Sequence, residues 1–390
     1  TMTIEMAIMP FLKVCADPYG AAREAAKDAP AAGYMCTYVP EELLHAAGYL
    51  PVRGLGWSDV TQHADALIQS YACSLARGAL EAGLTGQLDF LSLMVFAHTC
   101  DTIQNLTDIW KRNVPSMTHF ALSAPVETGT EHAVTYFLSE LRRLKAFLEA
   151  EGKTVSDGAV HAAILLYDQH RIAMRTLYDA HRKNPAAIGA RGLAAVALSA
   201  FFVPRPQHLA WLTQLLPAMH EAPPVTDGKP RVVVLGSVCQ DIGYLEAIES
   251  AGCVVADDDL CTGARPFAVE AVEDADPLRA LARMYLDRRT CASKHRDGYD
   301  PGAEASKRAQ AAGANGVIFL FTKFCDPWAF DYPRMREALD QAQVPSLLLE
   351  IEQNQPPSAH FQTRVAAFAE MLGVRPPAEG FRVGVEEMRR

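Results

Sequence analysis

Apolar and polar positions follow two different periods along this chain, and the period changes twice. Up to about residue 130 the pattern is mixed. Residues 40–48 (PEELLHAAG) open on Pro and close on Gly, as a short helix does, and residues 50–55 read as a strand. Residues 88–96 (LDFLSLMVF) carry apolar side chains on both faces, the mark of a fully buried strand. From 131 to 219 the period becomes helical: in 136–150 and 157–182 apolar residues recur every three or four positions, with charges on the other face. Residues 221–230 (EAPPVTDGKP) cluster Pro, Gly and polar residues and read as a linker. Beyond it strands at 232–236, 254–257, 316–321 and 346–350 alternate with helices at 242–252 and 333–343. Such alternation predicts an α/β protein with doubly wound parallel sheets. The expected divisions are an N-terminal α/β domain (1–130), a helical connecting region (131–228) and a C-terminal α/β domain (229–390).

The two α/β segments resemble each other in order. Gly33-Tyr-Met-Cys36 precedes a helix ending at Ala47-Gly48, and Gly236-Ser-Val-Cys239 precedes one ending at Ala251-Gly252. The strand leading into Cys100-Asp101 matches the strand leading into Cys325-Asp326, and Val114-Pro115 matches Val344-Pro345. On this register Cys73 pairs with Cys291. Three matches in one order suggest duplication of a cysteine-bearing unit.

Composition narrows the chemistry. The net charge of −10, with no basic stripe interleaved with aromatics, argues against a nucleic-acid partner. The longest apolar stretch, 192–203, is too short to span a bilayer, and no secretory signal opens the sequence, so a soluble cytoplasmic protein without membrane association is expected. Nine cysteines then favour thiols or metal thiolates over disulfides. No CxxC run is present, so ligands would have to converge through the fold. Cys100 and Cys325 each stand just past an apolar strand, where doubly wound folds bind ligands, and Cys73 can join them from a neighbouring loop. Three thiolates on a cubane leave one iron open. The competing reading is packing, since free cysteine is among the most buried residue types; Cys15 and Cys253 fit it best. Gly152-Lys153-Thr154 ends like a Walker loop but has Phe147 where its first glycine belongs. Gly54-Leu-Gly56 starts like a dinucleotide fingerprint but reaches Asp59 at its third glycine. Neither ATP hydrolysis nor NAD binding is expected.

At Cys36-Thr-Tyr-Val-Pro-Glu-Glu42, His45-Ala-Ala-Gly48, Leu50-Pro-Val-Arg53, Phe324-Cys325-Asp326-Pro327 and the stretch from Thr363-Arg364 to Phe368, the chain resembles the 2-hydroxyacyl-CoA dehydratase and benzoyl-CoA reductase family. The resemblance covers nearly the whole chain. It implies two flavodoxin/Rossmann-like domains with a helical insert, and a 4Fe-4S cluster on Cys73, Cys100 and Cys325. Cys36, Cys261 and Cys291 are similar to positions that are cysteine in double-cubane proteins and in the benzoyl-CoA reductase B subunit, which implies a second cubane in an 8Fe-9S cluster. The internal repeat favours Cys239 over Cys261 as the partner of Cys36, and the sequence leaves the two open. The surplus thiols favour a reductase. A separate dimeric, ATP-hydrolysing iron-sulfur activator would supply electrons, a second copy or a paralogous subunit would complete the complex, and an acyl-CoA or other small molecule would be reduced in single-electron steps. The competing functions are a 2-hydroxyacyl-CoA dehydratase subunit working through a ketyl radical, and an electron-transfer or structural subunit of a paralogous heterodimer. Thr37, at a position where some dehydratase subunits carry a substrate-handling Ser, together with His98 and Lys323 beside candidate ligands, make the catalytic set. Asp101 and Asp326 are read as helix caps and Glu41 and Glu42 as first-turn carboxylates.

Overall fold

The computed structural model describes residues 3–57, 60–224, 228–353 and 355–373. Eight strands form two four-stranded sheets. The first comprises β1 (Ala31–Met35), β2 (Leu50–Arg53), β3 (Leu91–Ala97) and β4 (Thr118–Leu122); the second comprises β5 (Arg231–Gly236), β6 (Val254–Asp259), β7 (Gly316–Thr322) and β8 (Ser346–Ile351). Every pairing is parallel, and the orders are β2-β1-β3-β4 and β6-β5-β7-β8. The same order in both sheets is the structural counterpart of the repeat in the sequence. Parallel neighbours need crossover helices, and those helices cover both faces. Along β3, Met94 and Phe96 enter one core while Leu93, Val95 and Ala97 enter another; along β7, Ile318 and Leu320 face one core and Val317, Phe319 and Phe321 the other.

Between the sheets run helices Glu131–Ala150, Asp157–Lys183, Gly189–Ser199 and Arg205–Glu221. The apolar stretch at 192–203 becomes most of the third, packed in the first core, and no helix among the described residues is long and apolar enough to cross a membrane. Helix Pro277–Asp287 follows β6 in sequence, yet its Leu278, Leu281 and Tyr285 pack in one core with Tyr34 and Leu93 of the first sheet. This crossing brings residue 291 back over the first sheet.

Element ends differ from the sequence reading in instructive ways. The strand expected over 50–55 stops at Arg53, because Gly54 onward leaves the sheet. The strand expected over 88–96 starts at Leu91, after a turn carrying Gly86 at φ 77°. The helix expected from Pro333 begins at Asp326 and holds Pro333 inside, since Pro327 occupies its first turn. Part of the linker, 225–227, and the stretch 374–390 lie outside the described residues.

Gly56 is a glycine for a reason unrelated to nucleotides. A Cβ there would lie 2.1 Å from the backbone of Gly78 and Ala79 in helix Ser74–Leu84. That contact seats the helix whose first turn follows Cys73. Gly56→Ala should therefore destabilise the protein by about 1–3 kcal/mol, read as a lower urea midpoint. An unchanged midpoint would mean that the helix moves aside freely.

Candidate functional site

The carboxyl ends of both sheets face one another across a cavity of about 750 Å3, partly open to solvent. Cys36 follows β1, Cys100 follows β3, Cys261 follows β6 and Cys325 follows β7; Cys73 precedes helix Ser74–Leu84, and Cys291 follows helix Pro277–Asp287. All six line this cavity, with Met35, Leu55, Ile103, Val238 and Trp328 supplying apolar wall. Cys73, Cys100 and Cys325 each occupy the N-cap position of a helix. Asp101 and Asp326 therefore sit one residue inside their helices, where a carboxylate suits the dipole without capping. Cys36 (φ 73°) and Phe324 (φ 64°) hold left-handed backbone at the two strand exits, conformations that ordinary side chains disfavour.

Cys239 is placed elsewhere. Its Sγ lies 3.4 Å from the carbonyl of Asp241, and it packs with Tyr244 and Leu245 in a core of the second sheet. Cys15, whose Sγ lies 3.5 Å from the Ala195 carbonyl, and the fully buried Cys253 also belong to cores. The repeat thus equates Cys36 and Cys239 in sequence, while the turn after β5 directs Cys239 away from the cavity.

Burial dominates the acid–base state of the cavity thiols. It lifts Cys100 to about 12, and nearby Cys73, Cys36 and Cys291 add to the effect; it raises Cys325 as well, with Cys73 contributing. Burial also raises Cys73 and Cys261; the first-turn amides of Ala76 and Leu75 oppose it at Cys73, and Arg265 and Arg53 oppose it at Cys261. Thiols gathered this closely stay protonated until a cation neutralises them, so metal binding would release protons. Among the described residues, the group of His, Cys, Asp or Glu ligand atoms gathered within 4.8 Å of one another is Glu127, His295 and Asp297, and no three of these sulfurs are held that tightly.

Three cations surround the thiols, and the sequence reading had assigned a role to none of them. Arg265 Nη1 donates to Cys261 Sγ at 2.9 Å while its other nitrogens grip Asp259 at 2.8 Å. Arg53, 2% exposed, donates to the Cys261 carbonyl at 2.5 Å. Lys294 donates to the carbonyls of Ala124 (3.0 Å) and His98 (3.4 Å), and the charges of Cys36, Cys291 and Cys100 favour its charged form against burial. The available signal was spacing: Arg265 lies four residues after Cys261, and Lys294 three after Cys291.

The three candidate catalytic residues are placed differently. Thr37 lines two smaller spaces beside the cavity, one of them shared with Cys261 and Cys291. The His98 ring is turned to Ser123 Oγ at 3.5 Å, and burial lowers its pKa. Lys323 is half exposed and pairs with Glu352 at 3.5 Å. Neither His98 nor Lys323 is among the residues that line the cavity. The halves are tied across it: Gln353 N donates to Ser74 Oγ (2.9 Å), Gln240 Nε2 to the Gly56 carbonyl (2.8 Å) and Tyr285 Oη to Glu42 (2.8 Å).

These features define a bilobal, doubly wound α/β protein with one thiol-lined site built from both halves. The chain belongs to the family described as 2-hydroxyglutaryl-CoA dehydratase, D-component, whose model matches residues 36–372. It is 30% identical to the lactoyl-CoA dehydratase beta subunit of Anaerotignum propionicum over 88% of this chain and 91% of that one. Identity to the (R)-2-hydroxyglutaryl-CoA dehydratase beta subunit of Acidaminococcus fermentans is 29%, over 95% and 100%. Identity to a benzoyl-CoA reductase subunit from Thauera aromatica is 28%, over 87% and 90%. The chain is thus an enzyme subunit of the dehydratase and reductase kind, and similarity of this even size does not separate the two.

Proposed function

We propose that Cys73, Cys100 and Cys325 hold a 4Fe-4S cluster, that Cys36, Cys261 and Cys291 extend it to a double cubane, and that the chain serves an ATP-activated, low-potential reductase acting on an acyl-CoA or other small substrate. The observation that carries this reading is that six thiols from both halves face one largely apolar cavity. Their spacing suits a multi-iron cluster, because a single ion with sulfur bonds of about 2.3 Å needs its ligands gathered tightly. When bound, such a cluster supplies single electrons at low potential.

The remaining work falls to this chain's side chains. Arg265, Arg53 and Lys294 stabilise thiolate charge in a buried setting, and the N–H to Cys261 sulfur is a contact that tunes potential. The walls of Leu55, Ile103 and Trp328 keep water from the thiols. On this reading a separate iron-sulfur ATPase delivers electrons, and the complex is completed by a second copy or a paralogue. Iron and sulfide quantification on anaerobically purified protein tests the assignment. About eight iron per chain is expected; about four would reject the double cubane.

A second reading, a dehydratase subunit, is supported by Thr37, whose hydroxyl-bearing side chain lines a space bounded by Cys261 and Cys291. Sustained enoyl-CoA formation from a 2-hydroxyacyl-CoA with only catalytic reductant would favour it over net reduction.

A further inference from the structure

A second chamber, about 360 Å3, lies beside the thiol cavity. Four guanidinium groups line it: Arg53, Arg171, Arg205 and Arg288. Arg171 is matched by Glu42 (2.5 Å) and Asp168 (2.6 Å), and Arg205 by Glu41 (2.8 Å). Arg53 and Arg288 have no carboxylate at ion-pair distance among the described residues; each stacks on a ring, Phe201 and Tyr285, and donates to one carbonyl, that of Cys261 and of Thr37. The chamber is thus left one positive charge in excess. It also holds unused donors: Arg205 Nε and Nη1, Arg53 Nε and Arg288 Nε are buried without an acceptor, and the Arg205 side chain is 3% exposed. Unpaired donors and uncompensated charge in a closed space cost several kcal/mol unless something fills it.

We propose that this chamber is a binding site for a small carboxylate. One excess positive charge calls for a monoanion, and charge-assisted bonds from several guanidinium groups are the strongest available to a carboxylate. The volume admits an acid of a few carbons and excludes the nucleotide end of coenzyme A. Arg53 lines both this chamber and the thiol cavity, while Thr37 and Arg288 line both this chamber and the space beside Cys261 and Cys291. A carboxylate here would therefore stand next to the thiol site. It has two sources: a separate small acid, or the far end of an acyl chain. The second source rests on the acyl-CoA reading above and the first does not.

Thermal unfolding and calorimetry on the full chain test the site, with propionate as probe and sodium chloride at equal ionic strength as control. Saturating propionate should raise the Tm by about 2 °C or more. Arg205→Met should weaken binding about ten-fold or more. Arg288→Gln, which breaks no ion pair, should weaken it too and covers the case in which the first variant does not fold. Succinyl-CoA binding about ten-fold tighter than butyryl-CoA, with the preference lost in the variants, assigns the site to an acyl terminus. Propionate binding without that preference assigns it to a separate acid. No shift beyond chloride, or a shift unchanged in whichever variants fold, overturns the proposal. Iron is measured on the same samples, so a propionate response from protein that takes up no iron would reject the cluster and leave the carboxylate site standing.

Discussion

Cys325→Ser, reconstituted without oxygen, should hold at most about half the iron of the parent chain, whereas Cys239→Ser should hold all of it. The two residues end equivalent strands of a repeated unit, so the repeat alone would treat them alike. Geometry separates them: Cys325 faces five other thiols, and Cys239 faces the Asp241 carbonyl inside an apolar core. Serine nearly matches cysteine in size but cannot supply a thiolate, so the fold survives while the ligand is lost. Helix Asp326–Gln341 does not depend on the sulfur, because the Cys325 side chain makes no capping hydrogen bond. Cys261→Ser and Cys291→Ser should behave like Cys325→Ser. Equal iron in the Cys239 and Cys325 variants would remove the cavity from consideration as the iron site.

The iron-free protein should lose stability steeply between about pH 6 and pH 4. Three histidines are buried in neutral form. His170 Nε2 lies 2.9 Å from His208 Nδ1, His208 Nε2 lies 3.0 Å from the Val196 carbonyl, and His181 Nε2 lies 2.8 Å from that of Val255. Burial holds His208 down to about 3 and His181 to about 4, and drives His170 well below its ordinary value, with Arg205 adding to the effect at His170 and His208. A base with a depressed folded pKa is neutral in both states above about 6.5, so its contribution is complete there. As pH falls below that value the unfolded chain takes up a proton that the folded chain refuses, and stability declines until the folded pKa is reached. Each such histidine contributes a slope of about 1.4 kcal/mol per pH unit. Asp257, lifted to about 6 by burial, works in the opposite direction over the same range. The net slope is about 2–3 kcal/mol per pH unit, enough to erase a typical folding free energy within a few units. Urea midpoints at pH 7, 6 and 5 measure it, and His208→Gln should flatten the curve by about one proton. A midpoint that stays constant from pH 7 to 5 would contradict the buried, neutral state of these residues.

The amino-acid pattern by itself determined the two sheets. Apolar residues at both parities in 93–97 and 317–321 can be satisfied only by strands covered on both faces, and the helical period over 131–219 leaves no room for a strand. Duplication was legible as well, because Cys100 and Cys325 recur at the same place relative to strand, helix and Val-Pro pair, and the two sheets repeat one strand order. Tertiary structure alone decided which thiols meet. The choice between Cys239 and Cys261 turns on the direction of a side chain after β5, which periodicity does not encode. Cys291 reaches the cavity because helix Pro277–Asp287 buries its apolar face against the other sheet, a long-range packing choice. Arg53, Arg205 and Arg288 look like ordinary surface charges in the sequence, yet they line one chamber because helices far apart in the chain close over them. Periodicity reports which face of an element is buried; it carries no information on what that face is buried against.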